Sequence, residues 1–298
     1  MKDNKRVADE VQVSSPEALL EMLSPRNSLW QPNPSGWIYR GVSDLQRHKL
    51  LPSSHRPGAF DDFNVSGLEQ LDIHPAVAAT WSKIVKRERL LLIDFAAKLD
   101  EVGLDHPRGF TLPSLAGFGK DPPPELWPLW ALARHHGLPS SLLDWTRKPL
   151  AAAYFAAVDA ANRNSASESS TDRIGVWALR KPMRANKSPG ELDSIGVLQF
   201  YQAPNSTNPN QHAQSGLFTF LSADPICTIN EYLEQPRKED VGELHMEPPI
   251  MRLFSLPQKH APELLKLLSD EGVHGASMFP GYDGVVKYMK EKVIYERR

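Results

Sequence analysis

A chain of 298 residues with 41% apolar and 23% charged side chains can bury one large core or two modest ones. Its 34 Lys and Arg against 36 Asp and Glu leave a net charge of −2, which gives no overall pull toward a nucleic-acid backbone. A single cysteine, Cys227, rules out an internal disulfide framework or a multi-thiolate metal site, no run reaches the 18 or so apolar residues of a membrane span, and residues 1–10 carry no apolar leader core, so the expectation is a cytoplasmic protein.

Ser14-Ser15-Pro16-Glu17 is a helix start, with a serine cap, a proline in the first turn and a glutamate completing a capping box. Leu19, Leu20 and Leu23 give that helix one apolar face, and Pro25 ends it. Trp37-Ile38-Tyr39 is a short β-type run closed by Gly41. Residues 51–73 are loop-like. The stripe Ile84, Leu91, Leu92, Phe95 and Leu99 predicts a long helix over about 75–99. Residues 103–124, rich in Gly and Pro, form a connector. A helix over 125–134 carries Trp127, Trp130 and Leu132, and Gly137 and Pro139 stop it. Pro149 opens a helix to about 161 made almost entirely of small apolar residues, the kind that lies close on a sheet.

A Ser-rich loop at 164–172 follows. Strands are expected at 175–179, 197–202, 217–221 and 251–256, all rich in β-branched and aromatic residues. Polar loops are expected at 205–211 and 231–249. A helix over 262–269, a turn at 278–284 and a short basic helix end the chain. There is no internal repeat. One strand, a block of helices, then a block of strands is an α+β order: a mixed or antiparallel sheet core with a helical block inserted after the first strand. Strand 37–39 must pair with strands more than 130 residues later, so one domain is expected over 1–298, with its core at about 14–292.

Three constellations carry chemical interest. Tyr39-Arg40-Gly41 places a guanidinium fork at a strand end, beside a glycine that lets backbone approach closely; an ordinary ion pair would look the same. Arg134-His135-His136-Gly137 leads to Leu142-Leu143-Asp144-Trp145-Thr146. Adjacent helical histidines point about 100° apart and cannot easily chelate one ion, so no metal is expected, and a His–Asp hydrogen-bonding or acid–base element fits better. Asp144 is expected to act as a framework residue, bonded to the backbone at the next helix start or to His136. The third is the polar run at 210–218, with Gln211, His212 and Gln214 leading into a strand. No carboxylate cluster for magnesium stands out, which disfavours a nuclease.

Taken together, Trp37-Ile38-Tyr39-Arg40-Gly41, Leu51-Pro52-Ser53 with Arg56, His136-Gly137-Leu138-Pro139, Leu142-Leu143-Asp144-Trp145-Thr146, Pro149-Leu150 and Tyr154-Phe155-Ala156 resemble the FRG-domain family, named for its Phe/Tyr-Arg-Gly motif. Gln214-Ser215-Gly216-Leu217-Phe218 and Phe279-Pro280-Gly281-Tyr282-Asp283-Gly284 look like that family's later motifs, so the resemblance covers about 17–290. Arg134 stands where a glutamine is more typical. Ser140-Ser141 stands where Thr-Arg is more typical, which removes a cation. The family's presence in bacteria and phage-associated regions implies a toxin or phage-defence setting.

A second, weaker resemblance is to ADP-ribosyltransferases, which have a Tyr-Arg-Gly-like strand whose arginine contacts NAD, and a strand–Pro–small-residue-helix element like Asp144 to Ala156 here. It implies an ADP-ribosyltransferase-like fold and an enzyme that takes NAD as substrate, with an unidentified acceptor macromolecule. In that reading Tyr39, Arg40, Gly41 and Thr146 bind the nucleotide, and His136, Asp144 and Gln214 are catalytic. The third motif of those enzymes is a glutamate, and residues 211–214 offer glutamines instead. The alternative is a nucleotide-binding or interaction module with the same pocket and no turnover.

Overall fold

The computed structural model describes residues 8–31, 33–65, 83–107, 110, 124–163, 172–182, 193–203, 209–222, 227–234 and 249–296. The elements are β1 (Ala8–Gln12), α1 (Pro16–Leu23), β2 (Trp37–Val42), α2 (Lys83–Glu101), α3 (Trp127–His135), β3 (Leu142–Thr146), α4 (Pro149–Ala161), β4 (Arg173–Arg180), β5 (Asp193–Ile195), β6 (Leu198–Tyr201), α5 (Pro209–Gln214), β7 (Gly216–Leu221), α6 (Ile229–Glu234), β8 (Met251–Pro257), α7 (Ala261–Asp270), α8 (Gly275–Met278) and α9 (Tyr282–Glu296). The fold is α+β. The strands form one eight-stranded sheet in the order β1-β8-β4-β2-β3-β7-β6-β5. Every pair is antiparallel except β1 with β8, so the sheet is mixed.

Strand β2 pairs over its whole length with β4, from Trp37 opposite Arg180 to Val42 opposite Gly175, the long-range pairing expected of it. Its other neighbour is β3, and there only Tyr39 and Thr146 are in register. The two strands touch at one rung and then part.

Alternation along the strands sorts the core into two faces. Trp37, Tyr39, Val176, Ala178 and Phe254 pack under α1, α4 and α7. Leu142, Phe218 and Phe220 pack under α2 and α3, against Trp127 and Trp130. By strand parity these groups share one face, because Tyr39 pairs with Thr146, two residues from Asp144 and four from Leu142. Ile38, Leu143, Trp145 and Leu179 fill the other face with Tyr232 and Leu233 of α6. The seam between the two helical groups of the first face lies over β2 and β3.

Helix α4 can lie flat on β2 because its inner face is alanine: Ala151, Ala152, Ala153, Ala156, Ala157 and Ala160 are all buried. Gly41 completes the fit. A Cβ there would stand 1.9 Å from the carbonyl oxygen of Ala152 and 2.6 Å from the nitrogen of Ala156.

Several elements differ from the sequence expectation. Leu142–Thr146, given no element in the chain-order reading, is a strand. Strands Ala8–Gln12 and Asp193–Ile195 were not anticipated. Pro209–Gln214 and Ile229–Glu234, which overlap the expected loops at 205–211 and 231–249, are short helices. The last helix runs 15 residues rather than a short stub. The expected helix start near residue 75, the connector at 111–123, the serine-rich loop at 164–170 and the polar stretches 205–208 and 235–248 lie outside the described residues.

Candidate functional site

At the seam, where β2 and β3 part, is a cavity of about 270 Å³. Tyr39, Arg40, Gly41, Asp144, Thr146 and Gln214 all line it, so six of the seven residues singled out in the sequence converge. Phe155 and Asp159 of α4 close the side.

Arg40 alternates with Tyr39 and Gly41, so its side chain leaves β2 on the other face, and its guanidinium reaches the gap in the ladder. Nη1 donates to the carbonyl of Asp144 at 2.6 Å and lies 3.6 Å from Oδ2 of the Asp144 carboxylate. A side-chain donor thus takes a carbonyl that a neighbouring strand would otherwise satisfy. Burial pushes the Arg40 guanidinium down to about 10; Asp144 opposes that fall, and the charges of Arg134 and Arg56 add to it. It still carries its full charge at neutral pH.

The main partner of Asp144 is Arg134, in the last turn of α3. Nη2 and Nε of Arg134 donate to Oδ2 at 2.6 and 3.1 Å, and its Nη1 donates to Ser53 Oγ at 3.2 Å. Burial alone would raise the Asp144 carboxyl, but Arg134 and Arg40 outweigh it and hold it below the usual aspartate range. Asp144 is a framework residue as expected, though with different partners: neither the backbone of the next helix nor His136 holds it. No side chain caps α4; Thr146 instead holds the turn that precedes it, its Oγ1 accepting from the nitrogen of Lys148 at 3.0 Å and donating to the carbonyl of Gln214.

Gln214 ends α5, and its Nε2 donates to the carbonyl of Met278 at 3.2 Å, which ties the cavity wall to α8. Ser215 follows with φ of 49°, the one non-glycine in the left-handed region among the described residues. Its carbonyl accepts from Arg147 at 3.2 Å and carries the β3–β7 ladder one step further.

His136 is not brought to the cavity. It is the exposed C-cap of α3, its nitrogen donating to the carbonyl of Leu132 and its ring edge-on to His135. The helix ends before the chain turns back into β3, which leaves this ring on the outside. Gly41 does allow a close approach, but the partner on its Cβ side is α4.

The position of the missing cation, Ser141, also lies elsewhere. Ser141 is buried, and its nitrogen and hydroxyl donate to the carboxylate of Glu88, itself 3% exposed and also bonded by Trp130 Nε1. Burial pushes the Glu88 carboxyl up, and these donors partly offset it. Ser54 Oγ sits 3.1 Å from Ser141 Oγ, which links the 53–55 turn to this network. The network anchors α2 and α3 to β3 from behind Arg134.

Sequence reasoning missed Arg134 and Asp159 as site residues. The signal for each was a charge in an apolar helix: Arg134 follows Trp-Ala-Leu-Ala, and Asp159 interrupts a run of alanines. Asp159 is exposed at the cavity mouth and forms no hydrogen bond or ion pair with any described residue. Among the described residues Arg40 is the cation of the cavity lining, against Asp144 and Asp159, while Arg134 stands behind Asp144 and offsets its charge, which leaves the Arg40 guanidinium as the group an anion would meet. Among the described residues no three His, Cys, Asp or Glu are grouped to hold a metal, and no helix is long and apolar enough to cross a membrane.

No curated protein and no solved structure matches the chain. Residues 35–165, which span β2, the Ser53 turn, Glu88, Arg134, β3 and α4, match the family model of the FRG domain, so this part of the chain is similar to that family.

Proposed function

We propose that the cavity binds the phosphate-bearing part of a nucleotide, with NAD the reading the residues favour, and that the protein is an ADP-ribosyltransferase-like enzyme. The observation that carries this is a part-buried guanidinium, fixed by the Asp144 carbonyl, facing a cavity beside Thr146 and Gln214. Only one of its five N–H groups is committed to that carbonyl, so the fork retains donors for a phosphate oxygen. Breaking the nicotinamide–ribose bond builds positive charge on the sugar, which a carboxylate stabilises. Asp144 is already paired with two arginines and Gln214 carries no charge, which leaves Asp159 as the carboxylate of the cavity with no arginine against it among the described residues.

That same pairing favours a second reading, a nucleotide-binding module without turnover. Charge lost at a developing cation costs a few kcal/mol, and each ~1.4 kcal/mol is tenfold in rate. A bacterial toxin or phage-defence role, in the cytoplasm and on an acceptor macromolecule, belongs to the enzyme reading.

Calorimetric titration with NAD, beside assay of nicotinamide release, separates the two. Arg40→Ala should weaken binding by roughly 1.5–3 kcal/mol, about tenfold to a hundredfold, and Arg40→Lys should recover part of it. Thermal melts of both variants check that the β2–β3 seam survives. Binding with release marks the enzyme; binding without release marks the module. Absence of NAD binding at millimolar concentration by the unaltered protein overturns the nucleotide assignment.

A further inference from the structure

Seven large apolar side chains are exposed among the described residues, and five of them lie on α9. Tyr282 is 94% exposed, Met289 63%, Val285 and Val286 49% each, and Val293 42%. At about 100° per residue, Tyr282, Val286, Met289 and Val293 fall in a stripe roughly 60° wide, spaced four, three and four apart. That spacing is the seam of a helix that packs against one other helix.

The helix is not loosely seated. Its opposite face holds the protein: a Cβ on Gly284 would stand 1.8 Å from the carbonyl of Phe279, and Tyr288 stacks on His274 at 4.0 Å. Glu291 is buried and accepts from the Tyr154 hydroxyl and the nitrogen of Gly275. The apolar stripe is therefore what α9 turns outward by construction.

We propose that this stripe is a self-association surface, on which α9 of a second copy of the chain lies antiparallel. A two-fold axis midway between Val286 and Met289 sets Val286 against the partner's Met289 and Tyr282 against the partner's Val293. The flanking charges then match. Asp283 and Lys290 lie on one edge of the stripe, and neither has an ion-pair partner among the described residues. The same axis brings Asp283 beside the partner's Lys290, and Lys290 beside the partner's Asp283. Parallel helices give neither residue an opposite charge. Five side chains supply on the order of 300–400 Å² per copy, less than the ~800 Å² of a standard interface, so the dimer forms at micromolar concentrations or above and exchanges.

The test is sedimentation equilibrium of the full chain from low to high micromolar concentration. The mass should rise from one copy toward two. Val286→Glu or Met289→Glu should hold it at one copy with an unchanged melting temperature, whereas Val102→Glu, at an exposed apolar position elsewhere, should change nothing. Asp283→Lys and Lys290→Asp should each weaken association about tenfold. Their combination, which swaps the pair, should restore it to within about threefold. An unaltered protein that stays at one copy throughout overturns the proposal, as does a double variant no stronger than the singles. If the single copy instead floats with phospholipid vesicles, the stripe is a membrane-facing surface and not a dimer seam.

Discussion

Asp144 keeps its charge at the seam because two guanidinium groups face it, and that dictates a pH dependence. Its folded-state carboxyl titrates below the ordinary range, so the stability it contributes is present above the unfolded value and is lost as pH falls through the folded one. Asp144→Asn should lower the melting temperature near neutral pH, and the gap to the unaltered protein should close as pH drops below about 4. Because the side chain is 42% exposed, water screens the pair, and the cost should stay at about 1 kcal/mol. A gap that persists unchanged below that pH would assign the loss to packing instead. Arg134, Asp144's chief partner, was marked in the sequence only as a charge ending an apolar helix, and its partner shows only once the chain doubles back from α3 into β3. Arg40, Thr146 and Gln214 could be read, because each is a polar residue inside one of the motifs that carry the resemblance. His136 had the same local character, and only the direction of the helix end separates it from them.

Among the elements, β2 and α4 depend on each other through Gly41. Replacing that glycine by alanine drives a methyl into the backbone of α4, where no rotamer change relieves the clash. Gly41→Ala should therefore cost about 3 kcal/mol, the upper part of the range for overpacking, and show as a lower urea midpoint. Trimming Ala152 to glycine in the same chain should recover little, since the obstacle is its carbonyl and not its methyl. An unchanged midpoint for Gly41→Ala would mean that the helix can lift from the strand freely. The small-residue character of α4 showed its place on a sheet in advance. Strand β3 did not show itself in the residue pattern, and only the second resemblance implied a strand there, because Leu142-Leu143-Asp144-Trp145-Thr146 is five residues long, has no clean alternation, and places Asp and Thr just before a helix-starting proline. Strand β1 was hidden by its polarity: Ala-Asp-Glu-Val-Gln is an edge, held by backbone pairing and not by an apolar face.

For the whole molecule, that edge closes the sheet. Strand β1 lies parallel to β8, with Ala8 opposite Met251 and Gln12 opposite Ser255, and Arg173 fastens the join by donating to the carbonyls of Val13 and Ser255 at 3.1 and 2.7 Å. Removing residues 1–12 would uncover the row of backbone donors and acceptors along β8, beside the buried Met251, Phe254 and Leu256. The shortened chain should aggregate in a concentration-dependent way, seen by static light scattering. A shortened chain that stays monodisperse with its full melting temperature would make β1 dispensable. The α+β order could be read from the run of elements, but the sheet order could not. It joins residues 8–12 to 251–255 and 37–42 to 175–180, contacts that depend on burial summed over the whole chain and leave no local mark.

The broken rung between β2 and β3 has a kinetic side. A long cationic side chain on an open surface must be ordered by each anion it meets, at a cost of about 0.5–1.5 kcal/mol. Here the Arg40 guanidinium is already immobilised by a carbonyl within its own sheet. An arriving anion finds the fork in place, so its entry should follow a single exponential with no slow rearrangement, and different anions should be told apart by how quickly they leave.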